Sequence, residues 1–529
     1  MKPPCAATRP RLSCLLVRWK CKLRRDVGFH WLNGYVTITS LVLTSALLTI
    51  DHLGHKDAMS DAHSQALEAA LRLNPRHDLP AVMQAATEHL WLHASPWQAL
   101  TTRSDRRLLV SGHGCTVVDA HGKTYLDALS GLWLVNVGHG RQAIAEAMAQ
   151  QARTLAYASA SRATTLPAIQ LATLLAELAP GDLSTVLLSS GGSEAVESAL
   201  KITRQYHTLR GESERYKVIS RRGSYHGATY GAMSVSGAPQ SVDPYYSPLV
   251  PGGLTVSAPY CYRCDYRKTY PSCDVYCAEA IEDLLIYENP RTVAAVIAEP
   301  ISAACGVVVP PPEYLPRLRD ICDRHGVLLI FDEIITGFGR TGKMFAAEHW
   351  DVVPDIMTLA KGLSSGYAPI AATVCRTAIA RQFDSAQEHA LAHLLTFGGQ
   401  AVACAAALAN VQILIQEDLV ANAAAQGQYL LTRLHELATR HPTVGDVRGL
   451  GLLCALELVQ DRRSKEPFVA EGPESRRLLD ILAELGMLTR ADTNLYLAPP
   501  LCIQRHEVEQ LIAMVDAGLT QFEHECAYL

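Results

Sequence analysis

From about Thr116 onward, short β-branched apolar runs alternate with longer stretches in which apolar residues recur at helical spacing. The short runs predict strands at Thr185–Ser189, Lys217–Ser220, Val293–Ala298, Val327–Phe331, Ile356–Ala360 and Ile370–Cys375. The longer stretches predict helices at Ala143–Ala152, Leu166–Leu178, Ser193–Leu209, Pro312–His325 and Gln400–Gln416. Alternation of this kind builds an α/β protein, a mostly parallel sheet with helices on both faces. Ligands of such sheets sit outside the carboxyl ends of the strands. Beyond about Glu417 the pattern changes. Two long helical stretches, Leu419–Arg440 and Glu474–Leu485, flank short strand-like pieces at Gly451–Leu458 and Leu495–Leu497. The expected organisation is a large domain over 126–415 and a smaller α+β domain over 416–529, with 59–125 as the N-terminal part of the smaller one. No internal repeat and no low-complexity tract interrupts it.

The first 58 residues do not continue this pattern. Met1 to Arg25 is rich in Arg, Lys, Pro and Cys, and Tyr35 to Ile50 carries no charge. That apolar run is shorter than the roughly 20 residues of a membrane span. It resembles an anchor or a cleaved signal, but it begins late and no small-x-small site follows it. Met59 opens an ordinary helix-competent segment, which makes a start at Met59 the expected reading, with a chain of 529 − 58 = 471 residues.

Composition narrows the class. Hydrophobic residues make up 49% and charged residues 19%, as in a globular protein with a large core. The net charge of −5 gives no electrostatic case for nucleic acid. Many of the fifteen cysteines, such as Cys375, Cys404 and Cys454, sit inside apolar runs. They read as small buried hydrophobes of a reducing compartment, so a cytoplasmic location is expected, with membrane contact only if 35–50 is a real anchor.

The chemistry concentrates at predicted strand ends. Val327–Phe331 ends in Asp332-Glu333, and Ile356–Ala360 ends on Lys361-Gly362. A partly desolvated amine can form a Schiff base with an aldehyde, and a nearby carboxylate can hold a pyridine nitrogen protonated. An isolated Lys-Gly more often only caps a core. Ser189-Ser190-Gly191-Gly192-Ser193-Glu194 follows a strand and opens a helix, which suits a phosphate cradle or a simple cap. Tyr225-His226 follows Lys217–Ser220, where an aromatic can stack on a flat ring or serve only as core. Glu299 ends Val293–Ala298, as a partner for the ring site or a helix-terminus charge.

Taken together, LSSGGSEAVESALK, SYHGATYGAMSVSG, AEP, IFDEIITGFGRTG, TLAKG and TFGGQAVACAAALAN occur in the order and spacing of class III aminotransferases. The resemblance covers roughly Leu126 to Leu458, and more loosely Met59 to the end. It implies a transferase of fold type I that depends on pyridoxal 5'-phosphate (PLP), a homodimer with its active site at the subunit interface. It implies Lys361 as the Schiff-base lysine and Asp332 as partner of the ring nitrogen. Ile334 and Tyr225 would pack on the two ring faces, with His226 and Glu299 beside the cofactor. Gly192 and Ser193 would hold the phosphate, Thr396 would reach the phosphate of the neighbouring subunit, and Arg448 of VRGLG would receive substrate carboxylates. The implied reaction moves an amino group from an ω-amino acid or amine to a 2-oxo acid. In the 4-aminobutyrate branch a second glutamate follows Glu-Pro; here Ala304 stands in its place. SGLWLVNVGHG, with Trp133 as wall or core aromatic, resembles the branch that uses pyruvate. The rival readings are an aminomutase or racemase of the same fold and a 2-oxoglutarate-using transaminase.

One motif lies outside this resemblance. Cys261, Cys264, Cys273 and Cys277 have the spacing C-x2-C, eight residues, C-x3-C. Zinc or an iron–sulfur cluster, free thiols and disulfides all fit that spacing.

Overall fold

The computed structural model describes residues 61–102, 106–238, 244–384, 387–470 and 472–526. Residues 1–73 and 74–529 form separate units. Of the first, the described part is the helix Asp61–Leu71 and the two residues after it; Met59 and the apolar run 35–50 lie outside the described residues.

In the larger unit a seven-stranded sheet runs in the order Leu183–Ser189, Ala371–Arg376, Ile356–Leu359, Leu328–Asp332, Val293–Ala298, Lys217–Arg221, Gly253–Val256. Ala371–Arg376 is antiparallel to both neighbours. The remaining pairs are parallel. Central strands Val293–Ala298, Leu328–Asp332 and Ile356–Leu359 are buried along their whole length. Covered on both faces, such strands read as continuous apolar runs rather than alternations, which is why their positions were visible in the sequence.

The helices Leu166–Leu178 and Gly192–Leu209 fall on the predicted positions. Tyr314–His325 starts two residues later than expected and ends at Gly326, whose φ of +61° suits the left-handed cap. That cap turns the chain into the next strand at Leu328. Helix Ala401–Gln416 packs on Gln142–Thr154 and Leu166–Leu178 and shows no clean polar face.

Two smaller sheets surround this core. One joins Leu109–His113, Thr116–Asp119 and Thr124–Asp127 to Met487–Leu488, the last pair parallel. The other joins Val444–Leu450, Leu453–Asp461 and Glu466–Pro467, with Asn494–Leu497 against the second. N-terminal and C-terminal segments therefore share a sheet. The expected strand Gly451–Leu458 is displaced, because Gly451 takes φ +59° in the tight turn between two antiparallel strands. Among the described residues no single helix is long and apolar enough to cross a membrane.

Candidate active site

The carboxyl ends of the parallel strands open onto a cavity of about 400 Å³. Lys361 borders it, two residues beyond the end of its strand Ile356–Leu359, in a left-handed conformation (φ +42°) that a side chain rarely adopts. Among the described residues no hydrogen bond or ion pair holds its amine. Burial lowers the amine's pKa to about 8, against the opposing pull of Asp332 and Glu299. Such an amine is largely available as a free base only slightly above neutral pH.

Asp332 closes its strand and is buried. Its Oδ1 accepts from the Ile334 amide at 3.1 Å and from Thr358 Oγ1 at 3.2 Å. Its Oδ2 lies 2.7 Å from His226 Nδ1. His226 is itself buried, and its Nε2 has no partner among the described atoms. These donors hold the carboxylate in place at the cavity edge. Glu333, the next residue, turns the other way. It accepts from the Ala346 and Ala347 amides at 3.0 and 2.7 Å, and burial pushes its pKa up to about 7. The acidic pair thus divides into one site residue and one structural one.

Across the cavity, Ser190 to Ser193 lead into helix Gly192–Leu209. Glu194 accepts from the Ser190 amide and hydroxyl at 2.8 and 2.7 Å, which fixes the turn. A Cβ at Gly192 would come within 2.9 Å of Ile334 Cδ1, so a larger residue there would push the Ile334 side chain aside. Ser193 Oγ accepts from the Ala228 amide at 3.0 Å and keeps its own proton to donate. A helix N-terminus with a free hydroxyl donor attracts an anion.

Tyr225 and Ile334 both border the cavity. The Tyr225 amide donates to Glu299 Oε1 at 3.3 Å, and the Ala303 amide to Glu299 Oε2 at 3.2 Å. Glu299 is buried, and burial raises its pKa above the ordinary carboxylate value. Arg221, also buried, donates to the Glu299 carbonyl and to Ser302 Oγ, and so holds this strand end.

Two expected site residues stand elsewhere. Arg448 is not at the cavity. Its guanidinium is committed to Asp446 at 2.8 Å, Glu457 at 2.6 Å, Asn494 Oδ1 at 2.8 Å and the Gly306 carbonyl at 2.7 Å. Two carboxylates and two further acceptors take up its donors in this structure. Trp133 lies one layer behind the cavity. It is 3% exposed and packs edge-on to Tyr496, while its neighbours Leu132 and Leu134 form the lining. Thr396 is exposed and does not line this chain's own cavity.

Sequence patterns did not point to three residues near the site or behind it. Arg490 lies over the rings of Trp133 and Tyr496, 5.8 and 5.5 Å from their centres, and is 3.1 Å from Asp492. Arg340 reaches from GFGRTG to hold Ser130 and Asn136, on either side of Trp133. Thr358 lies inside the quoted TLAKG, and its bond to Asp332 follows from adjacent parallel strands. For the two arginines no local signal existed, because their partners are distant in sequence. Cys261, Cys264, Cys273 and Cys277 are free thiols. Among the described residues no three His, Cys, Asp or Glu side chains are already gathered for an ion.

An unpaired amine, a fixed carboxylate and an anion cradle border one cavity, and this set fits PLP at its aldehyde, ring nitrogen and phosphate. Comparison with known proteins agrees. Residues 100–519 match the Aminotransferase class-III family. A probable aminotransferase of Mycobacterium tuberculosis is 40% identical over 85% of this chain and 97% of its own length. A taurine–pyruvate aminotransferase of Rhodobacter capsulatus is 38% identical over 84% of this chain and 97% of its own. A solved (S)-enantioselective omega-transaminase from Thermomicrobium roseum has a TM-score of 0.79 at 40% identity, covering 83% of this chain and 98% of its own. The architecture is accordingly that of fold type I, and the chain belongs to the class III aminotransferases, enzymes that depend on PLP.

Proposed function

We propose that this aminotransferase moves an amino group from an ω-amino acid or amine to pyruvate, with Lys361 and Asp332 as its catalytic residues. The observation that carries the catalytic assignment is the unpaired Lys361 amine bordering the same cavity as the anchored Asp332 carboxylate. When bound, PLP supplies an electron sink for the carbon that bears the transferred nitrogen. The chain's residues do the rest. The Lys361 amine takes a proton from the substrate carbon and returns it at the far end of the shift. Asp332 keeps a proton on the ring nitrogen by its charge, and Thr358 and His226 hold it there. Gly192 and Ser193 take the phosphate, while Tyr225 and Ile334 border the ring.

Charge accounting supports pyruvate. The loop after Glu299 reads Ile301-Ser302-Ala303-Ala304-Cys305 and offers no carboxylate. Arg490 packs over Trp133 and Tyr496 behind the cavity lining, and among the described residues its ion-pair partner is Asp492. One guanidinium suits one substrate carboxylate; the second carboxylate of 2-oxoglutarate would need another cation. The pyruvate-using relative from Rhodobacter capsulatus is consistent with this reading. With one shared amine donor, pyruvate is expected to give a kcat/KM at least about tenfold above that of 2-oxoglutarate, a difference of about 1.4 kcal/mol. Equal values, or a preference for 2-oxoglutarate, would place the chain in the other branch. The same reading makes the enzyme a homodimer, with Thr396 of one subunit at the phosphate held by the other. It also places the protein in the cytoplasm, in keeping with the free cysteines among the described residues.

A further inference from the structure

Away from the active site, two cysteines from opposite ends of the chain touch. Cys115 lies in the turn that joins strands Leu109–His113 and Thr116–Asp119, and Cys502 precedes the terminal helix Arg505–Glu525. They stand 387 positions apart in the chain, yet their sulfurs are 3.7 Å from one another. Both are free thiols. Each sulfur need move less than about 1 Å to reach the roughly 2.0 Å of a disulfide bond.

Backbone bonds dock both cysteine-bearing loops on one segment, Asn136 to His139. The Gly114 amide donates to the His139 carbonyl at 3.0 Å, and the His139 amide to the Gly114 carbonyl at 2.9 Å. On the other side the Leu501 amide donates to the Asn136 carbonyl at 2.7 Å. Asn136 is itself fixed, donating to the Phe338 carbonyl at 2.8 Å. Asn422 Nδ2 brackets Cys502, donating to the Leu501 and Ile503 carbonyls at 2.6 and 2.9 Å. A Cβ at Gly138 would come within 2.7 Å of Cys502 Sγ, so the missing side chain leaves the space that the sulfur occupies. The contact between the thiols is therefore built by the scaffold on both sides.

The two sulfurs are not equivalent. Cys115 is 2% exposed, whereas Cys502 is partly exposed and can meet a small solute. Accepting a hydrogen bond from Cys115 lowers the pKa of the Cys502 thiol, and the Arg141 guanidinium lowers it further, against the pull of burial. Donating that bond raises the Cys115 thiol, as does burial. Arg141 is held in turn by Glu417 at 2.8 and 2.9 Å. The thiolate is the reactive form of cysteine, so the exposed sulfur is the nucleophile and the buried one keeps its proton in reserve.

We infer that Cys502 and Cys115 form a peroxide-reactive pair that closes to a reversible disulfide. The Cys502 thiolate attacks hydrogen peroxide: a sulfur–oxygen bond forms, the oxygen–oxygen bond breaks and hydroxide leaves. Cys115 then attacks the sulfenic sulfur. The sulfur–sulfur bond forms, the sulfur–oxygen bond breaks, and the hydroxyl leaves with the Cys115 proton as water. The sulfurs lose a pair of electrons and the peroxide gains it. A small thiol such as glutathione reverses the reaction by exchange. The bond fastens the N-terminal hairpin to the lead into the terminal helix, across the segment that continues from Leu134 of the cavity wall. Because it closes a loop of most of the chain, its main effect falls on unfolding.

The test uses the full-length holoenzyme, reduced, treated with hydrogen peroxide, alkylated and digested without reductant. Mass spectrometry is expected to find the Cys115 and Cys502 peptides joined, and dithiothreitol to separate them. Cys115→Ser should stop at a sulfenic acid on Cys502, which dimedone traps, while Cys502→Ser should leave Cys115 an unreacted thiol. The oxidised enzyme should unfold in denaturant at least about tenfold more slowly than the reduced one. If either variant fails to fold, the peptide map of the unaltered enzyme still decides the matter. Three results overturn the proposal: Cys502 carried on to sulfinic acid in the unaltered enzyme, both thiols still open to alkylation after a large excess of peroxide, or equal unfolding rates for the two forms.

Discussion

The Lys361 amine ends a buried strand in a backbone conformation that keeps it at the cavity, with a pKa lowered to about 8 by burial. The sign of that shift makes a prediction. Below about pH 8 the amine is mostly protonated and cannot attack an aldehyde; above it the free base dominates. The rate at which cofactor-free enzyme captures PLP should therefore rise about tenfold per pH unit toward pH 8 and then level. An unshifted lysine would show the same rise some two units higher. Lys361→Ala should bind PLP weakly, show no such pH step and turn over no substrate. Asp332 makes a second prediction. An amide preserves its shape but not its charge, so Asp332→Asn should keep the cofactor absorbance while kcat falls about 10²-fold or more. A near-normal kcat in that variant would remove Asp332 from the ring nitrogen.

Single elements show why some positions resist reading. Arg340 follows a strand-end turn and is wholly buried. Its guanidinium donates to the Leu452 and Pro499 carbonyls at 3.0 and 2.6 Å, and to Ser130 Oγ and Asn136 Oδ1 at 3.1 and 2.7 Å. It therefore ties the Trp133 segment to the C-terminal strands. Lysine carries the charge but cannot span four acceptors in a plane. Arg340→Lys should lower stability by about 2–4 kcal/mol in denaturant unfolding, and raise KM for the amine more than it changes PLP affinity. Unchanged stability would mean that the Trp133 segment is held by other contacts. At this scale the central strands were legible because burial on both faces writes them as apolar runs. Strand Gly253–Val256 was not: it is short, at the sheet edge, and half of it is exposed. The buried positions of the 21-residue helix Arg505–Glu525 recur at helical spacing.

In the whole molecule, one surface lies outside the chain's own chemistry. Thr396 sits in a stretch with Leu394, 65% exposed, and Phe397, 61% exposed; Leu166 and Ile169 are exposed as well. Stretches 158–172, 186–188 and 391–399 contribute to a cleft of about 720 Å³ there. Large apolar residues gathered at a surface mark an interaction site, which supports the proposed homodimer. Light scattering at micromolar concentration should give twice the chain mass. Thr396→Ala should leave that mass unchanged while weakening PLP retention about tenfold, the loss of one hydrogen bond to a charged phosphate. A monomer with full activity would defeat the interface assignment.

The sequence alone determined what is local. Strand ends carry Asp332, Glu299 and Lys361 because a buried run followed by a polar residue can be read within a few positions, and the Gly192-Ser193 turn is likewise contiguous. Tertiary structure decided what depends on partners far along the chain. The motif around Arg448 does not show that Asp446, Glu457, Asn494 and Gly306 accept from its guanidinium. Arg490 had no motif, and only the fold brings it over the rings of Trp133 and Tyr496. The physical reason is the same in each case: propensity and burial are written into neighbouring residues, whereas the pairing of a charge is settled by whichever distant segment the fold places against it.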